Sequence, residues 1–144
     1  MQQLADEVLG ELPQRDQIQI TIEPSVSDKT ISVPLDSIGQ ALRGLLQNAL
    51  DASAKNSPVR LNISQDDSAW QWQILDSGHG MANDVLKRID EPFFTTKQAG
   101  KGMGLGVFLA QNVVERLGGD IQFESKPEQG TTATVYLPFR KKAS

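Results

Sequence analysis

Two glycine-rich stretches and one asparagine are the residues of this chain whose types and spacing suggest chemistry. The first stretch is Asp76–Gly80 (DSGHG), and the second is Gly100–Gly106 (GKGMGLG). The asparagine is Asn48, in an apolar segment that precedes both, and Phe93–Lys97 (FFTTK) lies between the stretches. Glycine lets a backbone approach a flat or charged ligand closely. The three features in this order predict a nucleotide site.

Asp76 follows a segment in which Trp70, Trp72 and Ile74 alternate with polar residues. Side chains of a strand alternate between its two faces, so Asp76 should point into the protein with the apolar residues. A buried carboxylate needs hydrogen-bond donors, and the exocyclic amino group of adenine is one. The alternative is a simple strand-ending turn, because Asp, Ser and Gly favour turns.

Asn48 lies near the apolar face of a predicted helix, three residues after Leu45. Its carboxamide oxygen is a suitable ligand for Mg²⁺, which prefers a few protein oxygens together with phosphates and water. The alternative is an asparagine at the border of a helix that bonds only to backbone.

The second glycine stretch leads directly into a predicted helix that starts at Leu105. Exposed N–H groups at a helix start favour a phosphate, and Lys101 adds a point charge, with Lys97 the weaker candidate. The spacing is not that of a P-loop, and no strand precedes it as a dinucleotide fingerprint requires. A glycine loop without a ligand is the alternative.

Composition indicates one globular domain. The chain has 144 residues, a net charge of -4 and no cysteine, which excludes disulfides and thiolate metal sites. The negative charge argues against nucleic acid as the main partner. No apolar run reaches membrane-span length, and the start has no signal-peptide pattern.

Hydrophobic periodicity places these residues on a mixed sheet of about five strands with three helices, an α+β fold. The aperiodic segment 91–104 reads as a long functional loop, in which Phe93 and Phe94 would latch a mobile lid. His79, between two glycines, should be exposed and not catalytic. The predicted strands are 17–23, 59–65, 69–76, 120–125 and 131–139, and the predicted helices are 34–53, 83–89 and 105–117.

Taken together, these segments resemble the ATP-binding catalytic domain of two-component sensor histidine kinases, of the GHKL superfamily. Asn48 matches the N box, Asp76–Gly80 the G1 box and Pro92–Lys97 the F box. Gly102–Gly106 matches the G2 box, and Gly130-Thr131-Thr132 the last glycine box. The resemblance spans about residues 15–140, and the wording of the F and G2 boxes is most similar to the redox-responsive RegB, PrrB and RoxS group.

The resemblance implies a Bergerat-type two-layer α/β sandwich, with three helices over one face of the sheet and a lid at about 79–103. It implies ATP and Mg²⁺ as cofactors, with Asp76 reading adenine, Asn48 holding the metal, and Asn48 and Lys101 as the catalytic residues. The residues expected to contact the nucleotide are Asn48, Asp51, Asp76, Gly78, Gly80, Met81, Phe94, Thr95, Thr96, Lys97, Gly102, Met103, Gly104, Leu105, Gly106 and Thr131.

Two features depart from the family pattern. Gly44, four residues before Asn48, stands where family kinases often carry Asn and gyrase-type ATPases a water-activating Glu. The phosphoacceptor histidine segment is absent, since the one histidine lies inside the G1 box. We therefore expect a piece of a longer kinase: a linker remnant at 1–12, the catalytic domain at 13–140 and a basic tail at 141–144.

The resemblance also implies partners and location. The catalytic domain would phosphorylate a histidine of the dimerisation domain of its parent kinase, with a response regulator downstream, and would itself be monomeric. It would be the cytoplasmic part of a membrane-anchored kinase. Three alternatives remain: a serine kinase acting as an anti-sigma factor, a nucleotide-binding module without transfer activity, and a gyrase- or MutL-type ATPase.

Overall fold

The computed structural model describes residues 10, 15–24, 35–53, 57–66, 68–88 and 106–138. The elements bounded within these ranges alternate between one sheet and the helices packed on it. A 3-10 turn, Arg15–Gln17, precedes the first strand. The strands are β1 Ile18–Ile22, β2 Val59–Gln65, β3 Ala69–Leu75, β4 Asp120–Ser125 and β5 Thr131–Pro138, and the helices are α1 Leu35–Ala52, α2 Asn83–Leu86 and α3 Gly106–Arg116.

The five strands form one mixed sheet in the order β1-β2-β3-β5-β4. β1 runs parallel to β2, and the remaining neighbours are antiparallel. A parallel pair needs a crossover connection, and α1 lies in the segment that joins β1 to β2. β2 and β3 form a hairpin, in which Oδ1 of Asp66 accepts the N–H groups of Ser68 and Ala69 at 2.7 and 2.8 Å. The predicted mixed five-stranded α+β fold is confirmed.

The sheet has one apolar face and one polar face, because its register aligns side chains of equal parity into rows. The apolar rows are buried against α1 and α3 in one core. This asymmetry makes the fold a two-layer sandwich. One apolar row is Ile22, Ile63, Trp72, Val135 and Ile121, and one row of the opposite face is Thr21, Asn62, Gln73, Thr134 and Gln122.

The two long helices cover the sheet with their apolar stripes, as the sequence period predicts. α3 ends as predicted: Gly118 has φ +84°, and the N–H of Gly119 donates to the Val114 carbonyl at 2.9 Å. α2 begins at the predicted residue but ends before the predicted helix at 83–89 does, and it buries no residue. No helix in the described ranges is long and apolar enough to cross a membrane. The buried stripe residues include Ile38, Leu42, Leu45, Leu46 and Ala49 of α1, and Val107, Ala110 and Val114 of α3.

Candidate functional site

A row of three polar residues ends the apolar face of the sheet. Asp76 follows β3 with the parity of the buried Ile74, and its N–H donates to the Thr131 carbonyl at 2.9 Å. Thr131 is in turn opposite Ser125 of β4 in the register. The row Asp76–Thr131–Ser125 therefore lies on the helix-covered face, where the core gives way to polar groups.

The two carboxylate oxygens of Asp76 have different environments. Oδ1 accepts the N–H groups of Gly78, at 2.9 Å, and of Thr131, at 3.2 Å. Oδ2 has no hydrogen-bond partner among the residues that the structure describes. Burial raises the pKa of Asp76, and the two N–H bonds and the charge of His79 oppose that rise. Asp76 thus closes a turn with one oxygen, as the alternative interpretation held, and still keeps the other as an acceptor.

The glycines of the first stretch are required by neighbouring backbone. A Cβ atom on Gly78 would overlap the carbonyl oxygen of Ala52, and a Cβ on Gly80 would overlap that of Lys126. Gly80 also has φ +68°, a region that favours glycine. These contacts place the stretch between the end of α1 and the β4–β5 turn, which is a tertiary reason for glycine that the sequence did not indicate.

One face of α1 contacts the Asp76 stretch and Gly106, the first residue of α3. Gly44, Asn48 and Ala52 are four residues apart, so they share this face. Ala52 meets Gly78, whereas a Cβ on Gly44 would lie 3.4 Å from the carbonyl oxygen of Gly106, the first residue of α3. Asn48, halfway between these contacts, is half-buried, and its side chain makes no hydrogen bond with any described residue. The fold therefore places Asn48 between the Asp76 stretch and the start of α3.

Of the remaining predicted site residues, some lie in the part of the chain that the structure describes and others lie outside it. Asp51 is exposed and accepts a hydrogen bond from Gln47 at 2.9 Å, and the N–H of Met81 donates to Ser125 Oγ at 2.8 Å. His79 is exposed, as predicted. The predicted lid at 79–103 is described only as far as residue 88, and its Phe93 and Phe94 latch falls outside that part. Also outside are Thr95, Thr96, Lys97, Lys101, Gly102, Met103, Gly104 and Leu105.

Ser125 is a site residue that the sequence interpretation did not identify. Its hydroxyl contacts the N–H of Met81, the carbonyl of Gly130 and the hydroxyl of Thr131. The signal was its parity, because Ile121, Phe123 and Ser125 fall on one face of the predicted strand. A small polar residue that continues an apolar alternation marks the end of a core-facing row.

The donor set of this site fits a nucleotide better than a metal held by protein alone. No group of three or more His, Cys, Asp or Glu side chains gathers within the described part of the chain. An amide oxygen from Asn48 suits an ion that takes most of its ligands from phosphates and water. Oδ2 of Asp76 supplies an acceptor for a base amino group, and α3 begins with a glycine beside α1, where its first N–H groups suit a phosphate.

Comparison with known proteins identifies relatives of this chain. The family described as "Histidine kinase-, DNA gyrase B-, and HSP90-like ATPase" matches residues 34–141. Sensor histidine kinase ZraS of Escherichia coli K12 is 34% identical over 122 residues, which are 85% of this chain and 26% of ZraS. The C4-dicarboxylate transport sensor protein DctB of Pseudomonas aeruginosa is 39% identical over 101 residues, which are 68% of this chain and 16% of DctB.

Solved structures show the same fold. The nucleotide-free catalytic domain of histidine kinase ThkA has a TM-score of 0.79 at 25% identity, covering 96% of this chain and 91% of that one. Full-length ShkA in complex with AMPPNP also has a TM-score of 0.79 at 25% identity, covering 99% of this chain and 30% of ShkA. The chain spans about a quarter or less of the length of the two curated relatives above.

Proposed function

The chain belongs to the family of histidine kinase-, DNA gyrase B- and HSP90-like ATPases, and on that premise we propose that it is the ATP-binding catalytic domain of a two-component sensor histidine kinase. It transfers the γ-phosphate of ATP to a histidine on the dimerisation domain of its parent protein. The identity to ZraS and DctB, both sensor proteins by name, supports this assignment over other members of the family.

The position of Asn48 on α1 is the observation that carries the proposal. The same helix face touches the start of α3 at Gly44 and the Asp76 stretch at Ala52. A ligand that spans these contacts would meet a carboxylate at one end and helix N–H groups at the other. Adenine and a polyphosphate are the two ends of ATP, and they match these groups in chemistry.

Asp76 is the proposed adenine reader. Its Oδ1 is held by two backbone N–H groups, which fix the orientation of the carboxylate before any ligand arrives. Oδ2 then accepts the amino group of adenine. Preorganised acceptors of this kind give specificity because a base without the amino group leaves them unpaired.

Asn48 is the proposed Mg²⁺ ligand, and Lys101 the proposed contact of the outer phosphates. Mg²⁺, when bound, neutralises charge on the transferring phosphate oxygens. The protein contributes positioning: Asn48 orients the phosphates from α1, and the N–H groups at the start of α3 hold them from the other side. The proposed nucleotide contacts are completed by Asp51, Gly78, Gly80, Met81, Thr131 and the residues of the F and G2 boxes.

Gly44 argues against efficient hydrolysis of ATP. It has no side chain to activate water, and the α1–α3 contact at this point would hinder one longer than a Cβ. A gyrase-type ATPase is therefore disfavoured.

We further propose that the catalytic domain spans residues 13–140, is monomeric and belongs to the RegB, PrrB and RoxS group. Its parent kinase would be anchored in a membrane, with this domain in the cytoplasm and a response regulator downstream.

Calorimetric titration with AMPPNP, with and without Mg²⁺, tests the proposal. We expect AMPPNP to bind with micromolar to sub-millimolar affinity that depends on Mg²⁺. Adenosine, which lacks the phosphates, should keep part of that affinity. Incubation with ATP and a separate dimerisation domain should then label histidine, with little self-labelling of this chain. Phosphate on a protein serine would support the serine kinase that acts as an anti-sigma factor. Binding without transfer would support the nucleotide-binding module, and steady ATP turnover would support the gyrase- or MutL-type ATPase. No binding at millimolar AMPPNP would refute the site.

Replacing Asn48 with alanine should remove the Mg²⁺ dependence of AMPPNP binding while the domain stays folded. The variant loses the carboxamide oxygen that α1 places between the Asp76 stretch and the start of α3, whereas the proposed Asp76 contact to adenine remains. Titrations with and without Mg²⁺, together with a thermal melt, measure the effect. Gln40→Ala is the matched control, an exposed amide of the same helix. An unaltered Mg²⁺ response in Asn48→Ala would rule Asn48 out as the ligand.

A further inference from the structure

Ser125 stands at the centre of a hydrogen-bond network that joins three segments. Its Oγ accepts the N–H of Met81 at 2.8 Å, lies 3.1 Å from the Gly130 carbonyl and lies 2.8 Å from Thr131 Oγ1. Met81 belongs to the loop after Asp76, and Gly130 and Thr131 belong to the β4–β5 turn and β5. One hydroxyl therefore connects the Asp76 loop to the strand that supports Asp76.

Further contacts hold the same two segments together. The N–H of Glu128 donates to the His79 carbonyl at 2.6 Å. Gly130, with φ +81°, lets the turn approach the carbonyl of Asp76 so closely that a Cβ atom would overlap it. The loop after Asp76 is thus held against the β4–β5 turn by backbone contacts. Ser125 adds side-chain hydrogen bonds between the same two segments.

The donors and acceptors of this network can be assigned from the chemistry of the groups. A serine hydroxyl has one proton and two acceptor lone pairs, and a carbonyl oxygen only accepts. The proton of Ser125 therefore goes to the Gly130 carbonyl. Its contact with Thr131 is then satisfied only if Thr131 Oγ1 is the donor. This assignment uses the proton of Thr131 and leaves the hydroxyl able only to accept from any further group.

We infer that Ser125 is a positioning residue that fixes the Thr131 hydroxyl as an acceptor, and that this second acceptor adds to the preference of Asp76 for a 6-amino purine over a 6-oxo purine. The inference rests on the proposed nucleotide-binding function. Thr131 shares its row and face with Asp76, whose Oδ2 is also an acceptor. Two acceptors favour the amino group of adenine, whereas the oxygen of a 6-oxo base would meet them without a proton.

ADP and IDP are the probes, because their bases differ in the 6 substituent and in the N1 proton that accompanies it. Ser125→Ala frees the Thr131 hydroxyl to rotate and donate to a 6-oxo group. The ratio of ADP to IDP affinity should then fall about threefold to tenfold, the range of one neutral hydrogen bond. Ser125→Thr keeps a hydroxyl and should restore the ratio. Ser64→Ala, on the opposite face of the sheet, should leave it unchanged.

A double-mutant cycle separates this role from a general loss of structure. Because Ser125 acts through Thr131, Ser125→Ala should reduce the ratio no further in a Thr131→Val background. Equal losses of ADP and IDP affinity in Ser125→Ala, or additive effects on the ratio, would overturn the inference. Hydrogen exchange of the Met81 amide without nucleotide gives an independent readout: it should quicken in Ser125→Ala, and unchanged exchange counts against the network. Absence of ADP binding to the unmutated domain would instead refute the proposed function.

Discussion

Replacing Asp76 with asparagine is expected to weaken AMPPNP binding by about 10- to 150-fold, or about 1.5–3 kcal/mol, the range of a hydrogen bond to a charged group. The amide oxygen must take the place of Oδ1 to keep the N–H groups of Gly78 and Thr131. The amide nitrogen then replaces Oδ2. It presents a donor to the amino group of adenine, which is also a donor.

The fold should survive this substitution. Burial raises the pKa of Asp76, so its ionised form is disfavoured in the native protein, and asparagine removes that charge. Calorimetry of AMPPNP binding and a thermal melt check both effects. Asp84→Asn, at an exposed carboxylate of α2, is the matched control and should change neither. If Asp76→Asn binds AMPPNP as tightly as the unmutated chain, Asp76 is only a turn residue.

The same pKa predicts how pH acts on the domain. Binding requires the carboxylate, so adenosine affinity should fall with acidification at a higher pH than the titration of an exposed aspartate. The stability effect has the opposite sign. A carboxylate with a raised native pKa costs stability when ionised, and that cost disappears as pH falls from the native pKa to the unfolded one. Compared with Asp76→Asn, the unmutated chain should therefore gain stability on acidification while it loses adenosine affinity.

Gly130→Ala is expected to destabilise the domain strongly, and Gly118→Ala, at another glycine with a positive φ, is its internal control. Alanine in the left-handed region costs about 1–2 kcal/mol, and overpacking adds about 1–3 kcal/mol. Both terms apply at Gly130, where φ is +81° and a Cβ would overlap the Asp76 carbonyl. We expect a loss of about 2–5 kcal/mol in the free energy of unfolding, with weaker AMPPNP binding because the Asp76–Thr131 pairing is displaced.

Gly118→Ala isolates the backbone term. Gly118 has φ +84°, and a Cβ there would meet nothing within 4 Å. Gly118→Ala should lower the free energy of unfolding by only about 1–2 kcal/mol and leave AMPPNP affinity intact. Denaturant unfolding of the two variants measures the difference, which is the contribution of the Gly130 contact. Equal losses of stability would mean that the turn yields to the added methyl group and that its approach to Asp76 is not tight.

Most of the secondary structure follows from the sequence alone. The alternation over 18–22 and the 3.6-residue period of α1 depend on residues that are near neighbours, so a single segment contains the whole signal. The inward direction of Asp76 follows for the same reason, from its parity with Trp72 and Ile74. The glycine stop of α3 is equally local. The helix predicted at 83–89 is longer than the observed Asn83–Leu86, whose residues have helical spacing but none of which is buried.

The assembly of the site depends on contacts that no local pattern contains. Asp76 and Thr131 are 55 residues apart, and Met81 and Ser125 are 44 apart. Their pairing is set by the strand order, which places β5 between β3 and β4. The sequence by itself determined which elements form and that Asp76 faces inward. Only the tertiary structure decided that Ser125 contacts Thr131 and that α1 presents Asn48 between the Asp76 stretch and the start of α3, because shared burial between distant segments selects these contacts.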